Sequence, residues 1–227
     1  RVDPMLYQHI DPAEVGNDMR MLVSDMAGRA SVELKGRELG YDLTGDGGKA
    51  VIGRVTDRVK ELEARGYSFE AADASFELLL TDELNGSRAH YFTVESWRVI
   101  VEQRASGDVT SEATVKLLVK GDRVIAVGEG NGPVNALDKA LRSALDQTFP
   151  ELAAMSLTDF KVRILEGSQG TGAITRVLVE STSSSLEAKG DSWNTVGVDE
   201  NIVAASWHAL EQAVTYCLLR SGREPEA

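Results

Sequence analysis

From His90 onward, apolar positions recur two residues apart. Trp97, Val99 and Val101 alternate with Ser96, Arg98 and Ile100, the pattern of a half-buried strand. Val115, Leu117 and Val119 predict a second strand, Val124–Val127 a third, and Leu137 to Leu145 a helix. The order then restarts. Phe160, Val162 and Ile164 predict a strand, as do Ile174–Val179 and Trp193–Val198, and a helix follows over Ile202–Arg220. Ser181–Ser185 reads as a strand end and loop. Short Gly- or Ser-containing turns between the strands suit antiparallel neighbours. The pattern is βββα twice, and helices on one face of antiparallel sheets make an α+β fold.

Before His90 the period is three to four. The turn Asp42-Leu43-Thr44-Gly45-Asp46-Gly47-Gly48 precedes a predicted helix through about Arg65, with Val51, Val55, Val59 and Leu62 on one stripe and Gly66 as its stop. A second helix is predicted over Phe69–Leu84, with Ala72, Phe76 and Leu79 on one face. Asn85-Gly86-Ser87 marks a boundary. The expected organisation is a small, mainly helical subdomain over residues 1–87 and a second domain over 88–227, whose two βββα units span 88–150 and 151–222.

The two units also share residues. A shift of 69 positions lays Val127–Leu145 on Val196–Val214, with Val127/Val196, Gly128/Gly197, Val134/Val203, Ala136/Ala205, Ala140/Ala209, Leu141/Leu210 and Ala144/Ala213 identical. Each copy reads as strand end, tight turn and Ala-rich helix. A repeat of this size points to a duplicated unit with a pseudo-twofold axis, an arrangement that suits sensing and dimerisation better than catalysis.

Composition narrows the function classes. The 227 residues carry a net charge of −12, with 42% hydrophobic and 26% charged residues, an ordinary balance for a globular chain with a sufficient core. An acidic chain without a basic stripe argues against a nucleic-acid partner. No apolar run approaches the roughly 18 to 20 residues that span a bilayer, so no membrane insertion is expected. The single Cys217 excludes an internal disulfide framework, fits a reducing cytoplasm, and among Tyr216, Leu218 and Leu219 reads as a small core residue. The opening Arg1-Val2-Asp3-Pro4 has neither an initiator Met nor the apolar stretch of a signal peptide, as expected of a piece cut from a longer chain or of one that follows a removed tag.

Tempting motifs do not assemble into an active site. Gly128-Glu129-Gly130-Asn131-Gly132 lies between strand and helix like a dinucleotide fingerprint, but its third glycine is one place early and the strands around it read antiparallel. Gly48-Lys49 lacks both the upstream glycine and the following Ser/Thr of a P-loop. His9, His90 and His208 show no ligand spacing, so no metal site is expected; His208, beside Glu211 and Gln212, reads as part of a solvated helix face. Asp199-Glu200 reads as the acidic start of a helix and not as an acid/base pair.

The Gly-rich turn does offer chemistry. Glycines let the backbone approach a ligand, free N–H groups at a helix start favour an anion, and Pro133 suits the first helical turn. A small carboxylate could dock there; equally, the glycines could serve only a tight strand–helix corner.

Three segments carry a family resemblance: Tyr7-Gln8-His9-Ile10-Asp11-Pro12 with Val15-Gly16-Asn17 and Leu22 to Ser31; Gly66 to Glu77, including Phe69-Glu70-Ala71-Ala72-Asp73-Ala74-Ser75; and Gly130-Asn131-Gly132-Pro133-Val134-Asn135-Ala136. Together they resemble the C-terminal linker and regulatory region of the isopropylmalate/citramalate/homocitrate synthase family, and the spelling is most similar to its citramalate synthase branch. The resemblance implies a linker subdomain and a regulatory domain. It further implies that a branched-chain amino acid, leucine or isoleucine, acts as feedback inhibitor between the two subunits of a homodimer. A catalytic TIM barrel would lie outside this chain, bind a divalent metal and a 2-oxo acid, and use acetyl-CoA. No cofactor is expected here, and this piece alone is expected to be inactive.

Carried over by position, the effector site comprises Gly130, Gly132, Val134, Asn135 and Ala136, with Leu157, Phe160 and Ile202 on its apolar wall and Asp159 as the partner of the ammonium. Family members often place Tyr where Phe160 stands, so a hydroxyl contact is absent. Tyr7 matches a linker tyrosine that reaches a barrel active site and assists there; without a barrel it is an ordinary exposed tyrosine. The rival expectation is a dimerisation module that senses nothing.

Overall fold

Two three-stranded antiparallel sheets form the body of the molecule, in the order β1-β2-β3 and β4-β5-β6. A computed structural model of the chain describes residues 14, 28–165, 167–186 and 192–225. The strands are β1 (Thr93–Gln103), β2 (Val109–Val119), β3 (Asp122–Gly130), β4 (Met155–Ile164), β5 (Thr175–Ser183) and β6 (Ser192–Asp199). Each sheet ends in one helix, α4 (Pro133–Leu145) after β3 and α5 (Ile202–Arg220) after β6. The duplicated βββα reading is therefore the observed fold, and the second long helix spans the expected residues.

Period-two patterning decides the faces. In β2, Ala113, Val115, Leu117 and Val119 are buried toward α4, and in β5 Val177 and Val179 are buried toward α5. Lys120 and Gly121 join β2 to β3 with φ of 51° and 84°, the paired left-handed residues of a twist-matched two-residue hairpin. Both helices and the inner faces of both sheets meet in one core that includes Leu137, Leu141, Leu210 and Leu218. Each unit carries a register irregularity at the same point of its first strand, between Val94 and Ser96 in β1 and between Leu157 and Asp159 in β4.

Three helices precede the sheets: α1 (Arg29–Glu38), α2 (Gly45–Ala64) and α3 (Asp73–Asn85). The α2 stripe of Val51, Val55 and Val59 is buried with Val32, Phe69, Phe76 and Leu80 in a second core. Gly66, with φ of 103°, follows the end of α2, and Gly86 closes α3 in the left-handed conformation. The helix α3 faces two ways. Phe76 and Leu80 enter the small core, while Ser75 Oγ accepts from the Val196 N–H on β6 at 2.9 Å. The outer face of the second sheet is thereby covered by its own chain, with Ala72 against Val196 and Val198.

One expectation is corrected here. His208 does not sit on a solvated face: it is half-buried, and its Nδ1 is enclosed without a hydrogen-bond partner. Cys217 is fully buried, and desolvation pushes its thiol above the ordinary range. No helix among the described residues is long and apolar enough to cross a membrane.

Candidate functional site

A cavity of about 740 Å³ opens between α4, the start of β4 and the short 3-10 helix Pro150–Ala154 that joins them. Its apolar wall is Val134, Leu152, Met155, Leu157 and Phe160. Its polar side is supplied mainly by Asn135, Asp138, Lys139 and Arg142 at helical spacing on α4, with Asp146 just beyond the helix end. Arg142 fixes the frame. Its Nε donates to Asp138 Oδ1 at 2.8 Å, and its Nη1 donates to the Met155 and Leu152 carbonyls at 2.6 and 3.3 Å. One guanidinium so ties helix, connecting turn and strand together, which a point-charge lysine could not do with the same geometry. Lys139 Nζ donates to the Glu129 carbonyl at 2.9 Å.

The start of α4 is left open. Gly132 is its cap residue, with extended φ and ψ of −165° and 168° and no side chain to accept from the first turn; Pro133 follows, and Ala136 N–H returns to the Gly132 carbonyl at 3.0 Å. Uncapped N–H groups of a first turn carry partial positive charge and favour an anion. The corresponding end of α5 is closed. Asn201 Oδ1 accepts from Val203 N–H at 2.8 Å and from Ala204 N–H at 3.2 Å.

The residues singled out in the sequence separate into groups. Val134, Asn135, Leu157 and Phe160 are brought together on the cavity. Gly130 and Ala136 lie beneath it: a Cβ built on Gly130 would stand 2.6 Å from the Ala136 nitrogen, and Ala136 is fully buried. Gly132 stands at the helix start with open space around it. Asp159 does not line the cavity. The irregularity in β4 leaves its Oδ2 on Lys161 at 2.5 Å and its Oδ1 accepting from the Phe160 N–H at 2.8 Å, and these bonds hold its carboxyl below the usual range. Ile202 is 48% exposed at the start of α5 and is also absent from the cavity lining. Tyr7 lies outside the described residues.

Asp138, Arg142, Leu152 and Met155 escaped the sequence reading. The signal available was an acid–base pair, Asp138 and Arg142, at i, i+4 on an Ala-rich helix. Among the described residues no group of His, Cys, Asp or Glu could hold a metal ion. Apolar wall, carboxylates, a lysine and open N–H groups can together hold a small zwitterion with an apolar side chain.

The chain is 61% identical to the (R)-citramalate synthase of Streptomyces coelicolor over 225 residues, 99% of this chain and 41% of that protein. It is 42% identical over 219 residues to the (R)-citramalate synthase of Aquifex aeolicus, covering 96% of this chain and 40% of that protein. The 2-isopropylmalate synthase of Aquifex aeolicus is 31% identical over 218 residues, 95% of this chain and 38% of the relative. The chain therefore spans about two fifths of the length of these relatives, and the resemblance to the citramalate synthase branch is upheld. The model of the LeuA allosteric (dimerisation) domain matches residues 70–218, α3 included, and the chain belongs to that family.

Proposed function

We propose that this chain is the C-terminal linker and regulatory region of a citramalate or isopropylmalate synthase, and that its α4–β4 cavity binds a branched-chain amino acid as feedback inhibitor. The observation that carries the reading is the uncapped start of α4 beside an apolar cavity. The effector carboxylate takes the first-turn N–H groups and Lys139, its ammonium takes Asp138 in place of the more distant Asp159, and its branched side chain packs on Leu157 and Phe160. Burying such a side chain contributes about 1.5–3 kcal/mol. The catalytic step belongs to a barrel beyond this chain, which would hold the divalent metal and acetyl-CoA in the cytoplasm. Inhibition follows if the effector favours a barrel–linker arrangement poor in catalysis, a coupling of typically about 1–3 kcal/mol.

Dimerisation has its own support. Val101 shares a strand face with Trp97, and Ile164 shares one with Phe160; Trp97 and Phe160 are partly buried against the core, whereas Val101 and Ile164 are exposed. A second copy of the chain would cover them, and Ile164→Glu is expected to shift the chain toward monomer in analytical ultracentrifugation.

The effector reading is tested by titration calorimetry of the chain with isoleucine, leucine and valine. Saturable heat with one of them supports it. Heat undiminished by Gly132→Asp, which sets a carboxylate against the effector's own, would sink the site assignment.

A further inference from the structure

The two βββα units allow the cavity to be compared with its own pseudo-symmetry mate. The register irregularities superimpose β1 and β4 at a shift of 63, which places Trp97 where Phe160 stands. The pairing closes consistently. Trp97 faces Val115, which faces Ala126, while Phe160 faces Val179, which faces Thr195, and Ala126 and Thr195 differ by the 69 that also aligns α4 with α5. On the helices, that same shift sets Trp207 at Asp138, Asn201 at Gly132 and Glu211 at Arg142.

The mate position is full. Where Phe160 and Asp138 both line the open cavity, Trp97 and Trp207 stack, with ring centroids 5.9 Å apart and planes inclined by 29°. Trp207 is 3% exposed, so no space remains beside it for a ligand side chain. The N–H groups that α4 leaves open are taken on α5 by the Asn201 carboxamide. Even the corner bond is reversed in sign: Arg142 ties α4 to the Leu152 and Met155 carbonyls at the entry to β4, whereas Glu211 ties α5 to Arg88 before β1, at 3.3 Å.

We infer that the place between α5 and β1 is a closed copy of the effector cavity between α4 and β4, filled by the Trp97–Trp207 stack and capped by Asn201, so that each chain offers a single effector site, on α4. The inference rests on the effector reading above and adds which of the two helix–strand junctions, α4 with β4 or α5 with β1, senses and why the other does not. A binding unit was duplicated in the fold; aromatic rings and a carboxamide in one copy stand in for the ligand's side chain and carboxylate in the other.

Calorimetric stoichiometry with isoleucine and leucine tests it. The unaltered chain is expected to take one equivalent per chain, and Gly132→Asp none. The double variant Trp207→Asp with Asn201→Gly, which installs in α5 the residues found in α4, is expected to take a second equivalent. Two equivalents in the unaltered chain would overturn the inference and leave the effector reading standing. No binding at all would overturn the effector reading and this inference with it. One equivalent in a folded double variant, shown by unchanged far-ultraviolet dichroism, would mean that the mate is not a closed site. Should that variant fail to fold, the near-ultraviolet dichroism of the tryptophan pair in the unaltered chain decides. It stays constant on saturation if the mate is closed, and its loss would overturn the proposal.

Discussion

Gly128 lies so close under α4 that a Cβ built on it would stand 2.5 Å from the Ala136 carbonyl oxygen and 2.5 Å from the Ala140 nitrogen. Gly197 meets Ala205 and Ala209 of α5 in the same way. Three of the seven identities in the sequence repeat are these contacts. Strand and helix touch backbone to backbone in both units, and only glycine facing alanine permits it. Gly128→Val and Gly197→Val are each expected to destabilise the fold by about 2–3 kcal/mol through overpacking against backbone that cannot yield. Urea unfolding measures it, with Gly53→Ala as the contrast. Gly53 lies inside α2, and a Cβ there would meet nothing nearer than Arg29 Nη2 at 3.9 Å, so that change should stabilise by roughly 0.5–1 kcal/mol.

Glu77 joins three segments. Its carboxylate accepts from Tyr41 Oη at 2.9 Å, before α2, and from Tyr216 Oη at 2.8 Å on α5, with Arg220 Nη1 at 3.4 Å; Glu77 itself is 1% exposed. Replacing it with Leu strands two phenol hydroxyls and loosens the packing of α3 and the segment before α2 against α5. A loss of about 2–4 kcal/mol is expected, from unsatisfied hydroxyls at roughly 1–3 kcal/mol each.

The same cluster sets a pH dependence. Burial first, and the Glu77 carboxylate second, push the Tyr41 and Tyr216 phenols well above the ordinary tyrosine range. Between the unfolded value of about 10 and the raised folded value, the native state binds more protons than the unfolded one, so stability falls as pH rises. The contribution is complete below about pH 10 and is lost progressively above it. Denaturation midpoints at increasing alkalinity should therefore decline, and less steeply in Glu77→Gln, which removes the charge facing both phenols. An equal decline in the two proteins would assign the effect to other groups.

Helix caps supply a paired prediction. Asn201→Ala removes the acceptor for two N–H groups at the start of α5 and should cost about 1 kcal/mol. Gly132→Asp adds a cap to α4 in open space, so it should hold or raise the melting temperature while abolishing effector binding. A variant that lost binding and stability together would show only that the helix start had been damaged.

Much of the fold was legible because periodicity reports burial directly. The strands of both units and the helix Ile202–Arg220 follow from which positions are apolar. The short helix Arg29–Glu38 was not singled out, since Val32 is its one apolar side chain that is fully buried. His208 misled because Glu211 and Gln212 suggest solvent, whereas Gln212 turns its amide to the Val196 carbonyl and Glu211 is held by Arg88. The cavity was half legible. The Gly-turn motif drew attention to Val134 and Asn135, but the direction of Asp159 depends on a register irregularity that alternation cannot reveal. The 69-residue repeat aligns Asp138 with Trp207, but only the structure shows that one lines a cavity and the other fills its mate.

The central claim is an amino-acid sensor built on α4, and thermal melting of the chain with and without millimolar isoleucine, leucine and valine tests it most directly. A ligand that binds only the native state, present at 100 times its dissociation constant, adds about 2.7 kcal/mol. One branched-chain amino acid is expected to raise the melting temperature selectively, and the rise is expected to be absent in Gly132→Asp. No shift with any of the three, or a shift that persists in that variant, would contradict it.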